Sequence, residues 1–139
     1  MWLFEDKEFI EDTTPWYGYV YMIENIATGK KYIGRKFFTA AGYKQVKGKR
    51  KKIRKDSDWA NYFGSSPSLL KDIELFGKDN FKRTILKLCR GRAECSYWET
   101  KYIFEHDALL NGNYYNSWVQ CKIQATHLKA LLFNQPEGN

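Results

Sequence analysis

Apolar and polar positions along the chain follow two periods. From Tyr17 to Glu24 the run Tyr-Gly-Tyr-Val-Tyr-Met-Ile-Glu is dense in aromatic and branched residues, and Lys31 to Phe38 resumes the same character. Such runs suit a pleated, half-buried surface. Thr28-Gly29 between them is a turn signal, so the pair predicts a β-hairpin whose loop exceeds two residues. Phe81 to Leu88 predicts a third strand. Helical signals follow a different spacing. Ser65-Ser66-Pro67 offers a cap with proline in the first turn, and Gly77 sits where a C-terminal glycine belongs, which predicts a helix over 67–76. Arg92 to Asp107 has helical periodicity, closed by Gly112. Asp56 or Ser57 can cap a short helix reaching about Asn61, Tyr114-Tyr115-Asn116 reads as a short turn or strand, and Ile123 to Phe133 reads as a terminal helix.

These elements predict an α+β fold, a small three-stranded antiparallel sheet flanked by helices. One domain is expected over 1–139, since 139 residues suit a single core. Residues 1–16, acidic and ending near Thr13-Thr14-Pro15, read as an N-terminal arm; 39–55 reads as a basic insertion and 117–139 as a C-terminal extension.

Composition adds three exclusions and one lead. No stretch approaches eighteen consecutive apolar residues, so no membrane partner is expected. The N-terminus turns acidic after Met1-Trp2-Leu3-Phe4 and carries no leading cations, unlike a signal or transit peptide. Cys89, Cys95 and Cys121 form no CxxC pair and only His106 and His127 could assist them, which argues against zinc and for reduced thiols in a cytoplasm. The lead is charge. The chain holds 23 Lys and Arg against 16 Asp and Glu, net +7. Ten cations and no acid lie between Arg35 and Lys55, which leaves the rest of the chain at −3. A concentrated basic element in a mildly acidic domain points to a nucleic-acid backbone; a solvated loop kept soluble by charge is the bland alternative. Its two glycines, Gly42 and Gly48, and lack of an apolar period predict a mobile loop or an extended hairpin.

The first hairpin carries the chemistry. It reads Tyr19-Val20-Tyr21 on one strand and Tyr32-Ile33-Gly34 on the next. Side chains alternate across a strand, so if Val20, Met22 and Ile33 face the core, then Tyr21, Tyr32, Gly34 and Lys36 share the other face. There the bare glycine would let a phosphate approach the backbone. Aromatic cross-strand pairs of a purely structural hairpin are the competing reading. Farther along, Glu99 stands on a mostly apolar helical stripe with Cys95, Trp98, Tyr102, Ile103 and His106. A carboxylate there needs a partner: a divalent cation bridging to a phosphate oxygen, or instead a lysine or a backbone amide.

Together these residues resemble the GIY-YIG nuclease family. The second signature is matched literally; in the first, Tyr19 replaces the initial glycine while Tyr21 is kept. Glu99 and the Tyr115-Asn116 pair fall in the order that the family's pattern expects, and the resemblance extends from about Tyr17 to Asn116. It implies a DNA endonuclease, a phosphodiester hydrolase with one Mg²⁺ or Mn²⁺ per site at Glu99, no small-molecule cofactor, and Tyr21 as base assisted by Tyr32. Asn116 would support the site by hydrogen bonding. The family's arginine, on a helix soon after the second signature, has no counterpart here. Its role falls first to Lys36 and second to Arg35, with Arg50 or Arg54 able to swing in. Lys44, Lys47, Lys49, Arg50, Lys51, Lys52, Arg54 and Lys55 would contact DNA phosphates. A monomer or a homodimer fits, one site cutting one strand. The rival is a non-catalytic nucleic-acid-binding module that retains the nuclease fold.

Overall fold

The computed structural model describes residues 1–129 and 131. Strands β1 (Trp2–Phe4), β2 (Lys7–Glu8), β3 (Gly18–Asn25), β4 (Lys31–Phe37) and β7 (Phe81–Cys89) form one sheet in the order β2-β1-β7-β3-β4. Strands β5 (Thr39–Val46) and β6 (Lys49–Asp56) pair only with each other. Helices α1 (Pro67–Phe76) and α2 (Arg92–Glu105) complete the α+β architecture. The three expected strands β3, β4 and β7 are antiparallel neighbours, but the sheet has five strands and is mixed, because β1 runs parallel to β7.

The two additional strands come from the residues expected to form a lead-in arm. Trp2 explains the difference: it is 3% exposed, donates Nε1–H to the Trp59 carbonyl at 2.8 Å, and packs edge-on against Tyr19 and Tyr21. Burying an indole with its polar handle satisfied ties the N-terminus to the sheet despite its acidic composition.

Both faces of the sheet are covered. Val20, Ile33 and Cys89 pack against Cys95 and Ile103 of α2. The opposite face, which the alternation assigns to the tyrosines, is equally buried: Tyr19, Tyr21, Ile23 and Phe38 pack with Trp2 and with Leu69 and Ile73 of α1. The register of β7 against β3 shifts between Val20 and Tyr21. A bulge of this kind adds one residue to a strand, and it moves the α1-facing positions of β7 from Ile85 to Leu88. Arg83, 6% exposed, holds the segment before α1 by donating Nη1–H to the carbonyls of Ala60 and Tyr62, its guanidinium between the rings of Trp2 and Phe63. Trp59 and Phe63 are thus part of the framework.

The helix over 67–76 begins and ends as the residues dictate. Leu69 donates its backbone N–H to Ser66 Oγ, Pro67 occupies the first turn, and Gly77 takes φ 88° at the C-cap. Trp59–Asn61 is a single 3-10 turn, with Ser57 Oγ accepting from Trp59 N–H. The basic segment is an extended hairpin. Its two-residue turn, Lys47-Gly48, has φ 51° and 75°, the left-handed pair that matches the twist of tightly linked strands. Toward the C-terminus a short 3-10 turn covers Ala125–Leu128; the part of the expected terminal helix at 130 and 132–133 lies outside the described residues. No helix among the described residues is long and apolar enough to cross a membrane.

Candidate active site

Strand β4 is an edge of the sheet, and the site forms along that edge. Tyr114–Asn116 runs beside it. Lys31 donates its backbone N–H to Asn113 O, and Tyr115 donates its own to Lys31 O. Two residues farther on, the Asn116 side chain takes over from the backbone: Oδ1 accepts from Ile33 N–H at 3.0 Å and Nδ2 donates to Ile33 O at 2.8 Å. A primary amide thereby replaces one ladder step of a missing strand. Tyr115, buried beside it, donates its hydroxyl to Asp72 of α1 at 2.7 Å and accepts from Asn25 Nδ2 at 3.3 Å.

A cavity of about 680 Å³ opens along this edge, and Tyr21, Tyr32, Arg35, Ser65, Glu99 and Asn116 all line it. Because no full strand pairs with the outer side of β4, side chains from both of its faces reach one space. Tyr32 comes from the α1 face. Arg35 comes from the α2 face, where its Nη1–H donates to Ser96 Oγ at 2.7 Å and meets Glu99 Oε1 at 3.4 Å. That second distance is long for a charge-assisted bond. Glu99, with its side chain 17% exposed, is pushed above the usual carboxylate range by burial, an effect that Arg35 opposes. The protein group facing Glu99 is therefore an arginine, where the structural alternative to a cation named a lysine or a backbone amide.

The alternation holds for Arg35 and Lys36, with an unexpected consequence. Lys36 does share the tyrosine face: its Nζ lies 4.0 Å from the centre of the Tyr62 ring and 2.6 Å from Asp58 Oδ1. It does not line the cavity, and Arg35 does. Gly34 lies directly opposite Tyr21, and a β-carbon there would collide with the Tyr21 hydroxyl and the Tyr32 ring. The glycine therefore makes room for the two phenols.

The two tyrosines are not equivalent. Tyr21 is 1% exposed, and burial, reinforced by Tyr62 and Tyr32, pushes its ionisation well above the usual value of 10. Tyr32 is only half-buried; burial raises its pKa as well and the charge on Glu99 adds to this, but a hydrogen bond from Ser65 favours the phenolate.

Arg92, Ser96 and Ser65 also face the cavity and were not among the expected site residues. Arg92, Ser96, Glu99 and Ile103 recur at helical spacing and line it together, so the stripe was readable from the sequence. Nothing local marked Ser65. His106 is exposed, with Nδ1 2.9 Å from its own helix's Tyr102 carbonyl; His127 is exposed at the far rim of the cavity. The eight cations from Lys44 to Lys55 lie on or between β5 and β6, outside the cavity. Among the described residues no three His, Cys, Asp or Glu side chains group as a metal cage.

This geometry agrees with what the chain is similar to. A family model described as "Putative endonuclease segE, GIY-YIG domain" matches residues 2–119. A curated relative, "Putative endonuclease segE" of Enterobacteria phage T4, is 31% identical over 100 residues, 72% of this chain and 40% of the relative. The chain thus matches less than half of that relative's length. No solved structure matches. With the family model covering both signatures, Glu99 and Asn116, the chain belongs to the GIY-YIG endonuclease family.

Proposed function

We propose that this chain is a divalent-metal-dependent endonuclease that hydrolyses DNA phosphodiesters in the cavity beside β4. The observation that carries the reading is convergence: a half-buried phenol, an anchored guanidinium and a poorly compensated carboxylate line one opening, drawn from opposite faces of an edge strand.

The donor set suits a hard cation. Glu99 offers carboxylate oxygens whose only charged contact among the described residues is long, and a single carboxylate suits an ion that keeps most of its shell as water and substrate oxygen, as Mg²⁺ or Mn²⁺ does. Held at Glu99, such an ion would relieve charge on the phosphorane and on the departing oxygen.

The remaining work falls to the chain's own side chains. Tyr32 takes a proton from the attacking water. The Ser65 hydroxyl, beside the same phenol in the cavity lining, favours the phenolate. Tyr21 is the more deeply buried of the two phenols, so the base role that the family resemblance gives it is assigned here to Tyr32. It orients Tyr32, whose ring centre lies 6.2 Å from its own. Arg35, steadied by Ser96, contacts a non-bridging phosphate oxygen in place of the family's helical arginine. Asn116 fixes the β4 backbone at Ile33, and with it the residues on either side, Tyr32 and Gly34-Arg35. The β5–β6 hairpin supplies phosphate contacts outside the cavity.

Supercoiled plasmid incubated with Mg²⁺, Mn²⁺ or EDTA tests this. Nicking or linearisation only with metal is the expected result. Folded protein that binds DNA and never cuts it with either metal would make the chain a binding module instead.

A further inference from the structure

The β5–β6 hairpin has two faces of different character, set by its register. Opposite pairs share a face. Lys44 with Lys51, Val46 with Lys49, and Ala40 with Lys55 place Lys44, Lys49, Lys51 and Lys55 together; Gln45 with Arg50, Tyr43 with Lys52, and Ala41 with Arg54 place Arg50, Lys52 and Arg54 on the other side. The contacts agree. Arg50 stacks 4.0 Å from the centre of the Tyr43 ring, and the Lys55 methylenes crowd Gly42. All these cations are exposed.

Among the hairpin's cations, it is one from the arginine face that reaches the neighbourhood of the catalytic cavity. A second groove of about 320 Å³ lies at the hairpin's root, and Arg35 and Arg92 line both spaces. Arg54 lines the groove, whereas its neighbour Lys55 does not. Arg35 and Arg92 thus join the two spaces, Arg54 lines the second, and Lys52 and Arg50 follow Arg54 on the same hairpin face toward the tip. The lysines occupy the opposite face.

We propose that duplex DNA lies along the Arg50–Lys52–Arg54 face, its backbone leaving the cavity through the Arg35–Arg92 groove. The inference rests on the nucleic-acid reading of the hairpin given above. A two-stranded ribbon fits the major groove of B-DNA. Eight residues per strand give a reach of about 25 Å. The chosen face also has the richer chemistry: guanidinium groups that can fork onto phosphate, an exposed Tyr43, and the Gln45 amide opposite Arg50 at the tip.

Two charge-matched variants on the same strand separate the faces: Arg50→Gln with Lys52→Gln, and Lys49→Gln with Lys51→Gln. Both remove two exposed cations, and thermal melting confirms folding. Affinity for a fluorescent 25-base-pair duplex is measured in EDTA, which blocks cleavage, across a salt series. The first variant lowers the slope of log affinity against log salt by about 2 and weakens binding roughly tenfold at 0.1 M salt. The second loses clearly less affinity and lowers the slope by less than about 1. Equal losses in both would show undirected charge and overturn the assignment, as would a larger loss in the lysine pair. Wild-type protein that cuts plasmid with metal while the two variants bind alike overturns the face alone; wild-type protein that neither binds nor cuts overturns the nuclease reading beneath it.

Discussion

Removing the Tyr32 hydroxyl separates the two phenols most sharply. Tyr32→Phe deletes one oxygen from a half-buried side chain whose ring packing is retained. If that oxygen is the base, the chemical step loses a general-base contribution of about 10²–10⁴-fold. Tyr21→Phe deletes an oxygen packed close to Gly34 and Gly64. That change leaves the ring packing in place and brings a smaller loss of rate, acting through Tyr32. The sign of the pH effect follows from the raised Tyr32 pKa, caused first by burial. Below that pKa the active phenolate is the minor form, so wild-type single-turnover cleavage rises about tenfold per pH unit through the neutral and mildly alkaline range. Tyr21→Phe keeps this slope and Tyr32→Phe flattens it. The assay is single-turnover cleavage of a labelled duplex at saturating enzyme and Mg²⁺, from pH 6 to 9, so that product release does not mask chemistry. Near-wild-type rates in Tyr32→Phe, or a flat profile in Tyr21→Phe alone, would return the base role to Tyr21.

Three further outcomes follow. Arg35→Ala lowers the single-turnover rate about 10²–10³-fold, as loss of a preorganised charge at the reacting phosphate does, while Lys36→Met stays within about threefold because its ammonium is engaged with Asp58 and Tyr62; parity of the two losses would refute the placement. Trp2→Ala costs about 3–5 kcal/mol in denaturant unfolding, since the side chain is buried and hydrogen-bonded, whereas a dispensable arm would show no change. Asn116→Ala leaves the Ile33 backbone groups without their amide partner, costs about 1–3 kcal/mol of stability, and lowers the cleavage rate even below the unfolding transition; unchanged stability would mean that the edge needs no such support.

The sequence carried the hairpin and helix α1 because their signals are local: dense branched and aromatic runs, Thr28-Gly29, and the Ser66-Pro67…Gly77 punctuation. Strands β1 and β2 were not legible. Three residues of Trp2–Phe4 give no measurable period, and their stability comes from β7, some eighty residues away. The same holds for the second face of the sheet. Alternation correctly separated Tyr21 and Lys36 from Val20 and Arg35, but it does not say that Trp2, Phe38 and Leu69 will cover the tyrosines. Nor does it say that β4 is an edge strand, and this is what lets Arg35 and Tyr32 meet in one cavity. Glu99 stood out through its misfit on an apolar stripe; Arg92 and Ser96, on the same helix, did not, because a polar residue near a helix start reads equally well as a solvated one.

The central claim is that the β4-edge cavity, with Glu99 as its metal-binding carboxylate, cleaves DNA. Its most direct test is cleavage of supercoiled plasmid by Glu99→Gln beside wild type in Mg²⁺, both confirmed folded by thermal melting. Conversion to nicked or linear product by wild type, abolished by EDTA and by the substitution, is the predicted result. Undiminished cleavage by Glu99→Gln would contradict the account and move the metal and the chemistry elsewhere.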